Sequence, residues 1–231
     1  MTVLLEVKAC GIRSPVDVLA LEELAASEPL ATVDFVGINL VAGSKRCVDL
    51  ADAGSIVGAC RRLTPVALMA DVDAATAARV GNALGVRWLQ LHGSEPPATV
   101  DALARRFSVI KALNPAQLAD AALVRAYVAA GVKRLLLDGA RPGSGQRWAL
   151  PDVHLVDGCL GGVPAWLAGG LHEGNVAAAA AALGVAGVDA ASGVEQLGRF
   201  AVERAAAFAR AARTVAAPQP PDAWVDAEEA T

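Results

Sequence analysis

The sequence has few of the residues that build metal centres or disulfide frameworks. Its 231 residues include three histidines, and its four cysteines (Cys10, Cys47, Cys60 and Cys159) form no Cys-x-x-Cys pair and show no metal-ligand spacing. We therefore expect no metal site, and we expect reduced thiols in a cytoplasmic protein.

Membrane-spanning and secretion patterns are missing as well. Apolar residues make up 55% of the chain, but much of the excess is alanine, which favours helix. No apolar run reaches the roughly 18 residues of a spanning helix. The start of the sequence lacks the basic region and long apolar core of a secretion signal. Since the net charge is only −4, we expect neither nucleic acid nor membrane among the partners.

Short apolar runs alternate with alanine-rich segments of helical periodicity, which is typical of parallel β/α units. The predicted strands are Val3–Ala9, Asp34–Leu40, Pro65–Asp71, Arg87–His92, Ser108–Ala112, Lys133–Asp138, Val163–Ala168 and Gly187–Ala190. The predicted helices include Ala74–Leu84, Pro115–Ala130 and Val176–Leu183. Eight such strands predict an α/β protein with a single (β/α)8 TIM barrel rather than an open sheet. We assign residues 1–215 to this barrel and the proline-rich, acidic residues 216–231 to a mobile tail.

Ionisable residues gather where the predicted strands end, which is the face that carries chemistry in such barrels. Lys8 and Cys10 lie two residues apart on one strand and therefore share a face. A cation beside a thiol favours the thiolate, a base or nucleophile. The alternative interpretation is a buried cysteine beside a surface lysine. Asp138 ends the sixth strand and is a candidate general acid, or else an ordinary loop or helix-capping aspartate.

Glycine-rich segments follow the sixth, seventh and eighth strands. They contain Gly143-Ser144-Gly145, Gly169-Gly170 and Ser192-Gly193. Exposed backbone N–H groups in such loops bind phosphate, and the last two strands of a barrel commonly carry that site. The alternative is a set of turns without a ligand. Arg46, after the second strand, is suited to a bidentate pair with a substrate carboxylate. The alternative interpretation is a basic loop exposed to solvent, which would have the same sequence pattern.

Taken in order, these motifs resemble the phosphoribosylanthranilate isomerase family. The resemblance runs from about residue 3 to residue 212. The matching segments are Lys8-Ala-Cys-Gly11, Ser44-Lys-Arg46, Gln90-Leu-His-Gly93, Ile110-Lys-Ala112, Leu136-Leu-Asp138, Ala168-Gly-Gly-Leu171 with Asn175-Val176, and Ser192-Gly-Val-Glu195. Each motif alone is weak, but seven of them in the correct order are specific.

The resemblance implies an Amadori-type isomerase of tryptophan biosynthesis that acts on a small-molecule phosphorylated aminosugar without metal or cofactor. Cys10 would be the general base, Asp138 the general acid, and Arg46 the ligand of the anthranilate carboxylate. Lys8 and His92 would complete the substrate-binding set. Gly169, Gly170, Ser192 and Gly193 would bind the phosphate, and Gly143, Ser144 and Gly145 would close over it. The family's members imply a monomer or a homodimer.

Several positions depart from the family pattern where the aromatic half of the substrate would lie. They are Arg13, Asn39, Met69, Asp71 and Ala149. These departures leave open a related isomerase of secondary metabolism with another aminosugar phosphate, and a non-catalytic sugar-phosphate-binding barrel. A sister barrel of histidine biosynthesis is disfavoured because the first strand carries a cysteine and only one phosphate signature is present.

Overall fold

The computed structural model describes residues 3–139, 154–155 and 159–218. Eight strands in this part of the chain form one sheet: β1 (Glu6–Cys10), β2 (Phe35–Asn39), β3 (Thr64–Met69), β4 (Trp88–Leu91), β5 (Ser108–Leu113), β6 (Arg134–Asp138), β7 (Val163–Ala168) and β8 (Gly187–Ala190). The helices are α1 (Pro15–Ser27), α2 (Leu50–Ala59), α3 (Ala74–Leu84), α4 (Pro97–Ala104), α5 (Pro115–Ala119), α6 (Ala121–Ala129), α7 (Val176–Leu183) and α8 (Val202–Ala212). A short antiparallel strand, Cys159–Leu160, precedes β7, and a two-stranded hairpin joins Glu195–Gln196 to Arg199–Phe200.

The eight strands close into a parallel barrel. Neighbouring strands pair in sequence order, and the ring closes where β8 pairs with β1, so that Lys8 lies opposite Asp189. Most residues of these strands are buried, because one face points into the barrel and the other packs under the helices. The predicted single (β/α)8 barrel is confirmed.

Side-chain caps determine where several helices begin. The side chain of Asp73 accepts the backbone N–H of Thr76 at the start of α3, and Asn114 caps α5 through a reciprocal box with Gln117. The predicted helix Pro115–Ala130 is wrong in one respect, because it is two helices. Asp120 leaves the helical conformation and caps α6 by accepting the N–H groups of residues 122 and 123.

An aromatic cluster fills the N-terminal end of the barrel. The ring of Phe35 packs edge-on against Trp88 at 5.4 Å and Trp166 at 4.9 Å between ring centroids. Glu6 accepts the indole N–H of Trp166 at 2.8 Å and forms a bidentate pair with Arg134, which lies over both tryptophan rings. These three aromatic side chains thus close the end of the barrel opposite the predicted active face.

The two ends of the barrel domain meet. Leu4 forms an antiparallel bridge with Ala216, and the N–H of Ala217 donates to Val3 O at 2.9 Å. The rest of the predicted tail, residues 219–231, lies outside the described residues. Among the helices that are described, none has the length and apolar character that crossing a membrane requires.

Candidate active site

A cavity of about 370 Å³ opens at the C-terminal ends of the barrel strands. Its described lining residues are Cys10, Asn39, Val41, Ser44, Arg46, Leu68, Ala70, His92, Asp138, Ala168, Gly169, Gly170, Asp189, Ala191 and Ser192. Seven of the residues predicted from the sequence meet here: Cys10, Arg46, His92, Asp138, Gly169, Gly170 and Ser192. Gly143, Ser144 and Gly145 lie outside the described residues.

Lys8 lies beneath the cavity floor rather than in its wall. It is fully buried, and its ammonium group pairs with both carboxylate oxygens of Asp189 at 3.1 Å across the β1–β8 closure. A Cβ built on Gly37 of β2 would lie 2.9 Å from both the thiol sulfur of Cys10 and Nζ of Lys8. Glycine at this position therefore lets the thiol and the ammonium group approach each other.

Burial raises the pKa of the Cys10 thiol above its ordinary value. Lys8 and Arg46 act in the opposite direction, and Asp189, which neutralises Lys8, reinforces the rise. Lys8 does lower the pKa of Cys10, as expected from the sequence, but burial raises this pKa by more. The resting group is the thiol, and its thiolate, once formed, is a strong base.

The acid candidate Asp138 is held by a chain of polar side chains. His92 Nε2 lies 3.1 Å from Asp138 Oδ2, and Nε2 of the fully buried Gln90 lies 2.8 Å from His92 Nδ1. With the amide of Gln90 donating to Nδ1, the imidazole proton resides on Nε2 and is donated to Asp138. This chain therefore fixes the orientation of the Asp138 carboxyl group.

A buried ion pair supports the loop that carries His92. Lys111 and Glu95 are both nearly inaccessible, and their charged groups lie 3.2 Å apart. Lys111 also donates to the carbonyls of residues 91, 93 and 112, while Glu95 accepts the N–H groups of Asp71 and Gly93. The pair therefore ties the loops after β3 and β4 to the barrel interior.

The glycine loops after β7 and β8 form the remaining wall. Gly169 and Gly170 both have positive φ angles, 92° and 65°. The side chain of Asn175 holds this loop by accepting the N–H of His172 at 2.8 Å and donating to Gly170 O at 3.0 Å. Gly193 packs against the backbone carbonyl of Leu171, behind the cavity-lining Ser192.

Three of the positions that depart from the family pattern form hydrogen bonds within the protein, and Ala149 lies outside the described residues. Arg13 donates to the backbone carbonyls of Lys45 and Gly198, and the carboxylate of Asp71 accepts the N–H of Ser94. Neither Arg13 nor Asp71 lines the cavity, as far as its described wall extends. Asn39 does line it, but its amide is bonded to Ser44 Oγ and to the N–H of Val41.

A thiol and a carboxyl group thus face one cavity from β1 and β6, with glycine loops from β7 and β8 between them. This arrangement is typical of (β/α)8 barrel enzymes that move protons on small molecules. No group of three or more potential metal ligands occurs among the described residues.

The chain belongs to the N-(5'-phosphoribosyl)anthranilate isomerase family. The family described as "N-(5'phosphoribosyl)anthranilate (PRA) isomerase" matches residues 7–209. The isomerase of Afipia carboxidovorans is 37% identical over 225 residues, which cover 94% of this chain and 93% of the relative. That of Myxococcus xanthus is 38% identical, covering 90% and 96% respectively.

Solved structures of the family share the fold. Phosphoribosyl anthranilate isomerase from Thermus thermophilus superposes with a TM-score of 0.72 at 30% identity, covering 91% of this chain and 99% of the other. A phosphoribosyl anthranilate isomerase in complex with reduced 1-(o-carboxyphenylamino)-1-deoxyribulose 5-phosphate gives a TM-score of 0.71 at 25% identity, with 92% and 100% covered.

Sequence analysis assigned no role to four supporting residues, Gln90, Asn175, Asp189 and Glu195, although all but Asp189 lie in the matched motifs. The pairing of Asp189 with Lys8 could have been predicted. A carboxylate inside the apolar eighth strand needs a buried partner, and the eighth strand of a closed barrel pairs with the first, which carries Lys8. The supporting contacts of the other three depend on side-chain geometry, which the spacing of residues in the sequence does not predict.

Proposed function

We propose that this protein catalyses the Amadori rearrangement of N-(5-phosphoribosyl)anthranilate to 1-(2-carboxyphenylamino)-1-deoxyribulose 5-phosphate in tryptophan biosynthesis. The observation that carries this proposal is the meeting of Cys10 with Asp138 and His92 in one cavity beside Gly169, Gly170 and Ser192. The partner expected from the sequence, a phosphorylated aminosugar, is corrected to an N-aryl glycosylamine phosphate, because the nitrogen belongs to anthranilate.

Asp138 would donate its proton to the ring oxygen of the furanose. The C1–O bond then breaks, and the nitrogen lone pair forms a protonated Schiff base at C1. This cation acidifies the proton on C2. Cys10, having first lost its own proton to solvent, removes that proton as the thiolate, which gives an enolamine and restores the thiol. The enolamine then tautomerises to the 1-amino-1-deoxy-2-ketose. One acid and one base suffice.

The cavity matches the other parts of this substrate. The glycine loops supply backbone N–H groups of the type that bind phosphate. Val41, Leu68 and Ala70 offer an aliphatic wall to an aromatic ring, and Arg46 lies where a ring carboxylate would be bound. An aliphatic wall removes a planar ring from water without any aromatic partner.

We further propose that the protein acts in the cytoplasm without cofactor or metal, as a monomer or homodimer. Freshly generated N-(5-phosphoribosyl)anthranilate tests the function directly, because its fluorescence disappears as it rearranges. Decay no faster than the spontaneous background would reject the function.

The raised pKa of Cys10 predicts how this residue responds to pH. Because only the thiolate is alkylated, and the pKa lies above the ordinary 9.0, the rate of Cys10 alkylation by iodoacetamide should rise continuously from neutral pH past pH 9. Each pH unit should increase the rate about tenfold below the pKa. Peptide mass spectrometry separates Cys10 from the exposed Cys47. A rate that levels off below pH 8 would mean that Lys8 and Arg46 lower the pKa of Cys10 by more than burial raises it.

A further inference from the structure

Arg46, the residue placed to bind the substrate's carboxylate, already holds a carboxylate of the protein. Its Nε donates to Glu195 Oε1 at 2.6 Å and its Nη2 to Oε2 at 2.8 Å, a bidentate pair. The side chain of Glu195 is only 8% exposed. Burial raises the pKa of Glu195, but Arg46, Lys45 and Arg13 together lower it below its ordinary value, so this carboxyl group is ionised at neutral pH.

The pair occupies one edge of the guanidinium, and the other edge has no hydrogen-bond partner among the residues that the structure describes. Nε and one N–H of Nη2 serve Glu195, so both N–H groups of Nη1 and the second N–H of Nη2 remain. Arg46 itself lines the cavity. The stem of Arg46 crosses directly over Gly11, where a Cβ would collide with Cδ. With the stem and one edge both fixed, the free edge has one orientation.

Positive charge is in excess around Glu195. Lys45 Nζ lies 3.7 Å from its carboxylate, and Arg13 reaches the same cluster by donating to Lys45 O at 3.2 Å. Among the described residues, the cations Arg46, Lys45 and Arg13 face two carboxylates, those of Glu195 and Asp17. A second carboxylate from a ligand would therefore be attracted to the cluster despite Glu195.

We propose that Glu195 is a positioning residue that makes the site select substrates with a carboxylate on the aromatic ring. It does so by holding Arg46 through the Nε edge and presenting the Nη1 edge to the ring carboxylate. This inference rests on the proposed function. It assigns carboxylate recognition to the pair Arg46–Glu195 rather than to Arg46 alone.

The experiment compares two substrates that differ only in the carboxylate. N-(5-phosphoribosyl)anthranilate and the corresponding aniline compound are each generated from ribose 5-phosphate and the free amine. For Glu195→Ala, KM for the anthranilate compound should rise about ten- to a hundredfold, the range expected for a charge-assisted hydrogen bond. Its kcat should fall by less than its KM rises, because the ring carboxylate takes no part in the proton transfers. The aniline compound should be turned over as by the unaltered protein.

Controls separate positioning from general loss of structure. Glu195→Gln keeps one acceptor for Arg46 and should restore part of the KM. Glu28→Gln, which breaks an exposed arginine–glutamate pair with Arg210, should leave both substrates unaffected. Equal losses with both substrates would overturn the proposal, and so would a lower KM for Glu195→Ala, because Glu195 would then compete with the substrate.

Binding of unreactive, reduced analogues keeps this test independent of turnover. Calorimetric titration of the reduced anthranilate and aniline products measures the preference for the carboxylate in the unaltered protein and in Glu195→Ala. If Glu195→Ala abolishes the preference for the analogue with the carboxylate, the inference is supported even when no turnover is seen. Only the proposed function would then fail. An unchanged preference, or no preference in the unaltered protein, would overturn the inference.

Discussion

Replacement of Asp138 by asparagine is expected to abolish isomerisation while leaving the barrel intact. Asparagine keeps the shape of the side chain and can still accept from His92, but it has no proton to give to the ring oxygen. General acid catalysis contributes about 10²–10⁴-fold, so kcat should fall by that factor. Cys10→Ala should cause a loss of the same order, because no other thiol lines the described cavity. Fluorescence decay of freshly generated N-(5-phosphoribosyl)anthranilate measures both.

Matched substitutions elsewhere serve as controls for these two variants. Asp101→Asn alters an exposed aspartate of α4, and Cys47→Ala alters an exposed cysteine, so neither should change the rate. If Asp138→Asn kept more than a tenth of the activity, the proton would have to come from another group, and His92 would be the first to examine. An active Cys10→Ala variant would remove Cys10 from the mechanism.

Glu95→Gln is expected to have the largest effect on stability. It leaves the ammonium group of Lys111 buried without its carboxylate, and breaking such a pair costs about 3–5 kcal/mol of unfolding free energy. Burial already lowers the pKa of Lys111, and Glu95 opposes that shift. In the variant, Lys111 should therefore be neutral over a wider pH range. Urea unfolding followed by circular dichroism measures the loss.

The partner substitution distinguishes a buried pair from a simple packing defect. Adding Lys111→Met to Glu95→Gln removes the unpaired charge and should recover part of the lost stability. Glu28→Gln, at the exposed pair, should cost only about 0–1 kcal/mol. If Glu95→Gln cost no more than Glu28→Gln, the pair would not support the loop of His92.

The strands could be predicted wherever turn residues bound an apolar run. Two predicted strands match the structure residue for residue, Val163–Ala168 and Gly187–Ala190. Glycines lie on both sides of the first strand, and the second strand begins with a glycine. The first strand was predicted to start at Val3, but β1 begins at Glu6. Residues 3 and 4 are apolar like a strand, yet they pair with residues 216 and 217, a contact that joins the two ends of the domain.

The positions of Cys10 and Asp138 could be predicted, whereas those of most residues that support them could not. Cys10 and Asp138 end strands, and strand ends meet in a barrel, so their position follows from topology alone. Glu195 reaches Arg46 across 149 positions of sequence. Nothing in the local pattern distinguishes that pairing from a solvated basic loop. The helix break at Asp120 was missed because the alanine-rich residues on both sides of it favour helix.

The proposed acid, Asp138, and the proposed base, Cys10, are supported by separate buried ion pairs. Lys8 and Asp189 lie under Cys10, whereas Lys111 and Glu95 lie under the loop of His92. Within the part of the chain that the structure describes, no hydrogen bond or ion pair joins the two groups. Free-energy losses from Asp189→Asn and Glu95→Gln should therefore add to within about 0.3–0.5 kcal/mol in the double variant. Such independence would let mutation adjust the strength of the base without disturbing the acid, so the two halves of the reaction could evolve separately.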